Sequence, residues 1–168
     1  MQSHSPNYEA NVTSTCSNIV KNGGFENGWA QPWTIVDAQS SGLSGWNVPE
    51  GNVEFGDYRT FGHCNKKSCA HGGKAFLDMC GSTRGAIAHT LRTVPDTAYV
   101  LKLAYHAHAS CSSSNTVIEM DVLVDGKSVK SLRHCDEGTW DLNWAAFSYE
   151  FKASGDSVRL EFKSINSG

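Results

Sequence analysis

Five tryptophans stand in a chain of 168 residues, at positions 29, 33, 46, 140 and 144. An indole ring offers a flat apolar face with one donor at its edge. The C–H-rich face of a sugar packs on such a ring while polar neighbours take its hydroxyls. Each tryptophan has a structural alternative, as a cap on an apolar core. Trp33 and Trp144 lie in strand-like contexts and read as core. Trp46, within Ser44-Gly45-Trp46-Asn47, and Trp140, after Asp136-Glu137-Gly138-Thr139, lie in turn-like contexts and read as exposed platforms.

His106 and His108 fall two apart, so a strand puts both on one face, opposite Tyr105. If the next strand pairs with theirs, Glu119 or Asp121 joins that face. Such a group is a polar floor for a ligand, a zinc site made of two imidazoles and a carboxylate, or a solvated face with ordinary cross-strand pairs. The segment 56–73 carries Tyr58, Arg59 and His63, which suit stacking and hydrogen bonding to a sugar. It reads equally as a stapled loop with no ligand.

Six cysteines, at 16, 64, 69, 80, 111 and 135, suggest disulfides and an oxidising compartment, hence secretion. No Cys-x-x-Cys pair supports structural zinc. A hairpin expected at Asp125-Gly126 brings Cys111 and Cys135 to the same end of a sheet. Cys64 with Cys69 would staple the 56–73 loop, which leaves Cys16 with Cys80. Asn11-Val12-Thr13 is a glycosylation sequon in keeping with secretion. Met1 to Pro6 is polar, without the apolar segment of a leader, so secretion implies a leader already removed.

The net charge of −3 without a basic block speaks against nucleic acid as partner. No apolar run approaches the ~20 residues a membrane helix needs. Catalysis lacks a motif: no carboxylate pair is set by sequence at glycosidase spacing, no Gly-x-Ser-x-Gly elbow occurs, and each cysteine has a plausible bridging partner.

These residues are positioned by strands. From residue 17 onward apolar and polar residues alternate, with no sustained period of 3.6. Tyr99, Leu101, Leu103 and Tyr105 form one face; so do Ile118, Met120, Val122 and Val124; Phe147, Tyr149 and Phe151; and Val158, Leu160 and Phe162. Earlier candidates run over 18–21, 33–36, 52–55, 74–79 and 86–94. Residues 1–16 read as a flexible arm, and 17–168 as one all-β domain, a two-sheet antiparallel β-sandwich of jelly-roll type with disulfides.

Three stretches in order carry a resemblance. They are Asn18-Ile19-Val20-Lys21-Asn22-Gly23-Gly24-Phe25-Glu26 with Trp29 and Trp33; Gly51-Asn52-Val53-Glu54-Phe55 with Gly72-Gly73-Lys74-Ala75-Phe76-Leu77-Asp78; and Gly85-Ala86-Ile87-Ala88-His89-Thr90-Leu91 leading to Tyr99-Val100-Leu101-Lys102-Leu103. Together they resemble the galactose-binding-like jelly rolls, above all the bacterial choice-of-anchor C domains and related plant cell-wall proteins, and more distantly family 4 and 16 carbohydrate-binding modules. The resemblance implies a non-catalytic extracellular module that attaches to polysaccharide. It also implies a structural calcium held by Glu26 and a backbone carbonyl nearby, that of Gly24. His89 stands where those relatives often have glutamine. The resemblance further implies a strand with an Ile-Asp-Asp-Val-like sequence beyond Gly168, supplied by a longer chain or by a partner. The functional alternative is therefore an adhesion or assembly domain that binds protein partners.

Overall fold

The computed structural model describes residues 16–28, 31–40, 42–57, 70–106, 118–134 and 144–165. They form ten strands: β1 Trp33–Asp37, β2 Asn47–Glu50, β3 Asn52–Asp57, β4 Ala75–Asp78, β5 Ala86–Arg92, β6 Ala98–Tyr105, β7 Ile118–Val124, β8 Lys127–His134, β9 Ala145–Lys152 and β10 Ser157–Ser164. All pairing is antiparallel, in three sheets of order β1-β3-β4, β2-β5-β10-β7-β8 and β6-β9. No helix among the described residues is long and apolar enough to cross a membrane.

The alternation visible in the sequence builds a sandwich. Val158, Leu160 and Phe162 of β10 point inward beside Ile87 and Leu91 of β5 and Val122 of β7. Leu160, Phe162, Ile87, Leu91 and Val122 meet Val36, Val53 and Phe55 from the three-stranded sheet and Leu101 from β6 in a single apolar cluster. Burying such side chains is worth about 1.5–3 kcal/mol each, and it fixes the register, because a one-residue slip would turn every one of them to water.

The hairpin at Asp125-Gly126 joins β7 to β8 with φ of 51° and 75°, the left-handed values a two-residue turn requires. The expected neighbour of β6 is corrected. β6 pairs with β9 along its whole length, while β7 pairs with β8 and β10 in another sheet. Glu119 and Asp121 are therefore not sheet neighbours of His106. His106 follows a strand of one sheet and Ile118 opens a strand of another, and alternation alone does not distinguish a crossover from a hairpin.

Residues 18–21 are not a strand. The chain there leads into a turn in which Asn22 and Phe25 take φ of 52° and 58°. The Asn22 amide stitches this turn, donating to the carbonyls of Asn27 and Ser44 at 2.9 and 2.8 Å and accepting from the Asn27 N–H at 3.1 Å. The turn delivers Phe25 against Trp46, ring centroids 5.6 Å apart. Trp46 is 5 % exposed, which corrects its reading as a surface platform. It packs between Phe25, His89 and Phe162, and its indole N–H donates to the Asn22 carbonyl at 3.3 Å. His89, itself buried, turns Nδ1 to the Gly45 carbonyl. The glycine and serine around Trp46 form a turn that aims the ring inward.

Candidate functional site

The residues of the three-stranded sheet that do not face the core form a separate surface. In β1 and β3, Thr34 opposes Phe55 and Val36 opposes Val53 on the inner side. The outer side then carries Trp33 opposite Gly56, Ile35 opposite Glu54 and Asp37 opposite Asn52. β4 adds Phe76 opposite Gly56 and Asp78 opposite Glu54. One row of this face is Trp33, Gly56 and Phe76, two aromatic residues flanking a position with no side chain. The next row is Ile35, Glu54 and Asp78.

Trp33 is 46 % exposed. Its expected place in the core is corrected: the core positions of β1 are Thr34 and Val36, one step out of phase with it. The Trp33 indole N–H donates to Glu54 Oε1 across the face, which holds the ring in one orientation. Directly opposed antiparallel residues have Cβ atoms about 4.5–5.5 Å apart, so Glu54 and Asp78 bring two carboxylates together. Partial burial, and then the charge of Asp78, push the Glu54 carboxyl above its ordinary value of 4.5. The third row is rigid. The Asn52 amide donates to Asp37 Oδ1 and Ser82 Oγ and accepts from the N–H groups of Ser82 and Thr83, all within 2.9–3.1 Å. The arrangement offers an oriented ring for stacking and adjacent carboxylates as acceptors for hydroxyl groups.

The residues expected from sequence are distributed otherwise. Tyr58, Arg59, His63, His108 and Trp140 lie outside the described residues, as do Asn11, Cys64, Cys69, Cys111 and Cys135. His106, half-buried just after β6, contacts His134 at the end of β8 with ring centroids 4.8 Å apart, and Trp144 at 6.1 Å. His71 meets the same Trp144 edge-on at 6.0 Å. His106 thus belongs to an aromatic contact between sheets at one end of the sandwich. The Trp144 indole nitrogen is buried there and has no hydrogen-bond partner among the described residues. No disulfide joins Cys16 to Cys80, although both reach the wall of one cavity; Cys16 is exposed, while Cys80 is held in a turn by a bridge to Arg84.

The residues around Glu26 do not fit calcium. Glu26 Oε1 accepts the backbone N–H groups of Lys74 at 2.8 Å and Ala75 at 3.0 Å. The carboxylate lies on Gly73, at φ +74°, where an added Cβ would stand 2.1 Å from Oε1. Among the described residues no group of three or more His, Cys, Asp or Glu is placed to hold a metal ion. Glu26 is a latch that ties the opening turn to the start of β4. Glu26→Ala is expected to lower the thermal midpoint, by roughly 1 kcal/mol of stability, because two N–H groups lose an ionised acceptor. A chelator is expected to leave the wild-type midpoint unmoved; a downward shift on chelation would restore the cation.

The signal for the outer face was present in the sequence as the pair Glu54 and Asp78 within two alternating strands. What hid it was register, since only the pairing of β3 with β4 puts them opposite one another.

Comparison with solved structures finds a family 35 carbohydrate binding module from Clostridium thermocellum, with a TM-score of 0.45, 13 % identity and coverage of 80 % of this chain and 82 % of that one. A family 35 module from an environmental isolate matches with a TM-score of 0.45, 13 % identity and coverage of 58 % and 67 %. A structure described as "CBM4 structure and function" matches with a TM-score of 0.34, 11 % identity and coverage of 86 % and 87 %. No curated protein sequence matches the chain. A family model matches residues 18–168, from the opening turn through the last strand, and the chain belongs to that family, described as "Protein of unknown function (DUF642)".

Proposed function

We propose that this chain is a non-catalytic, extracellular, cell-wall-associated module that binds polysaccharide across the outer face of β1, β3 and β4. The observation that carries this reading is Trp33, nearly half exposed on a sheet face with its indole N–H held by Glu54 and Asp78 in the adjacent row. An exposed indole on a sheet face is a stacking platform, and a sugar supplies both the apolar face and the hydroxyl donors that this surface accepts.

Binding to an array of cell-wall polysaccharides, followed over pH, tests the reading. Ionised Glu54 is the acceptor, and its carboxyl titrates above 4.5. Affinity is therefore expected to be full above that raised value and to fall as pH drops through it. Glu54→Gln is expected to flatten the profile. The stability effect has the opposite sense. A carboxyl raised in the folded state binds its proton more tightly there than in the unfolded chain, so its contribution declines as pH rises from about 4.5 through the folded value. No retention on any polysaccharide at any pH would end the proposal.

A further inference from the structure

The sequence holds two Asn-Gly pairs, Asn22-Gly23 and Asn27-Gly28, and both stand in the opening turn. Asn-Gly readily loses its side-chain amide, because glycine has no Cβ to keep its main-chain nitrogen away from the neighbouring side-chain carbon. At the first pair the Gly23 nitrogen attacks Asn22 Cγ. An N–Cγ bond forms, the Cγ–Nδ2 bond breaks, and ammonia leaves with the Gly23 amide proton. Water then opens the cyclic imide at one carbonyl or the other, giving aspartate or isoaspartate. Water is the only co-reactant. The two asparagines differ in what holds them. The half-buried Asn22 side chain is held at both ends: Nδ2 donates to the carbonyls of Asn27 and Ser44 at 2.9 and 2.8 Å, and Oδ1 accepts the Asn27 N–H at 3.1 Å. With carbonyls on one side and an N–H on the other, the amide fits in one orientation only. The Asn22 main-chain carbonyl accepts the Phe25 N–H at 3.0 Å and the Trp46 indole N–H at 3.3 Å. Asn27 is exposed, and its side chain makes no hydrogen bond among the described residues.

We propose that Asn22 is a gated deamidation site, protected while the opening turn is closed, reactive when it opens, and unable to close the turn again once converted. The gate is the hydrogen-bond set itself. Cγ cannot swing to the Gly23 nitrogen while both ends of the amide are tied, so the turn opens first and the rate of conversion follows the population of the open form. The one-way character comes from the product. Aspartate at this position puts a carboxylate oxygen where the amide donated, facing the carbonyl oxygens of Asn27 and Ser44 with no proton between. Isoaspartate goes further: it lengthens the main chain by one methylene and turns the carbonyl that accepts Phe25 and Trp46 into a free carboxylate. The consequence reaches beyond the turn. The same few residues carry Phe25 onto Trp46 and Glu26 onto the N–H groups of Lys74 and Ala75, so conversion releases one wall of the core and the start of β4 together. The lifetime of the folded module is thereby tied to how often this turn opens. No residue of the face built on Trp33 and Glu54 takes part, so the site stands independently of the sugar reading.

Peptide-mapping mass spectrometry of the full chain, aged in mildly alkaline buffer well below its melting temperature, reads amide loss at the two sites separately. Asn27 is the internal control, the same dipeptide in the same turn. Asn22 is expected to convert at least about tenfold more slowly than Asn27. Glu26→Ala, which frees the latch, is expected to raise the Asn22 rate about fivefold and the Asn27 rate much less. Asn22→Asp is expected to lower the thermal midpoint by several degrees, and Asn27→Asp to leave it within about 2 °C of wild type. Equal rates at the two sites in wild type, or an Asn22 rate indifferent to Glu26→Ala, would overturn the gate. A wild-type midpoint for Asn22→Asp would overturn the one-way closure. If Asn22→Asp does not fold, aged wild-type protein supplies the converted form. Its melt is then expected to show a lower-melting fraction equal to the Asn22 conversion, and a single unshifted transition would overturn the proposal.

Discussion

Trp33→Ala is expected to lower affinity for the best-bound polysaccharide at least about tenfold, while the melting temperature stays within about 2 °C of wild type. The two halves of this expectation have one cause. Trp33 is 46 % exposed and out of phase with the core positions of β1, so little packing is lost when it is cut back. The stacking surface, by contrast, is lost entirely. Glu54 loses the indole N–H that faces it, and the freed carboxylate is rehydrated on an open surface. Trp33→Phe separates the contributions, since it keeps a ring and removes only the donor; its affinity is expected to fall between wild type and alanine. Isothermal titration with a soluble oligosaccharide, paired with a circular dichroism melt, reads both quantities. Unchanged affinity would move the sugar contact away from this face. A large loss of stability would make Trp33 structural.

Strand positions were legible because alternation is a local property of the chain. The inward residues Leu101, Val122, Leu160 and Phe162 lie where period-two reading puts them, and Asp125-Gly126 adopts the left-handed pair its composition demands. Partnership between strands was not legible. A sequence ending one strand at Tyr105 and starting another at Ile118 is the same whether the connection folds back as a hairpin or crosses to the other sheet. The grouping of His106 with Glu119 failed on that point. The tryptophans failed for a related reason. Turn-like surroundings suggested exposure for Trp46, yet a turn equally serves to point a ring inward when apolar rings wait there. A strand-like context suggested burial for Trp33, yet period two gives two faces and does not say which is wet. The neighbour settles it: Val36 at 3 % exposure takes the core side, so Trp33, three residues earlier, takes the other.

Trp46→Ala is expected to show the opposite pattern, a loss of about 3–5 kcal/mol of stability, as for large aromatic truncations in cores. For a domain of this size that is roughly a 10 °C fall in melting temperature. The ring is 5 % exposed and fills the space between Phe25 of the opening turn, His89 of β5 and Phe162 of β10. Its removal leaves a void that three elements border, and it frees the Asn22 carbonyl that accepts the indole N–H. The loss is therefore expected to spread into the opening turn, where Asn22 and Phe25 hold left-handed backbone angles supported in part by the Phe25 contact with Trp46. Trp46→Phe, which fills most of the space without the donor, is expected to recover more than half of the stability. Polysaccharide affinity measured well below the melting transition is expected to match wild type, because Trp46 lies inside the sandwich and the outer face of β1, β3 and β4 does not include it. The pair of variants thus makes a double dissociation: Trp33 for affinity without stability, Trp46 for stability without affinity. If Trp46→Ala instead cost affinity and spared stability, both the placement of the ring and the site built on Trp33 would have to be exchanged.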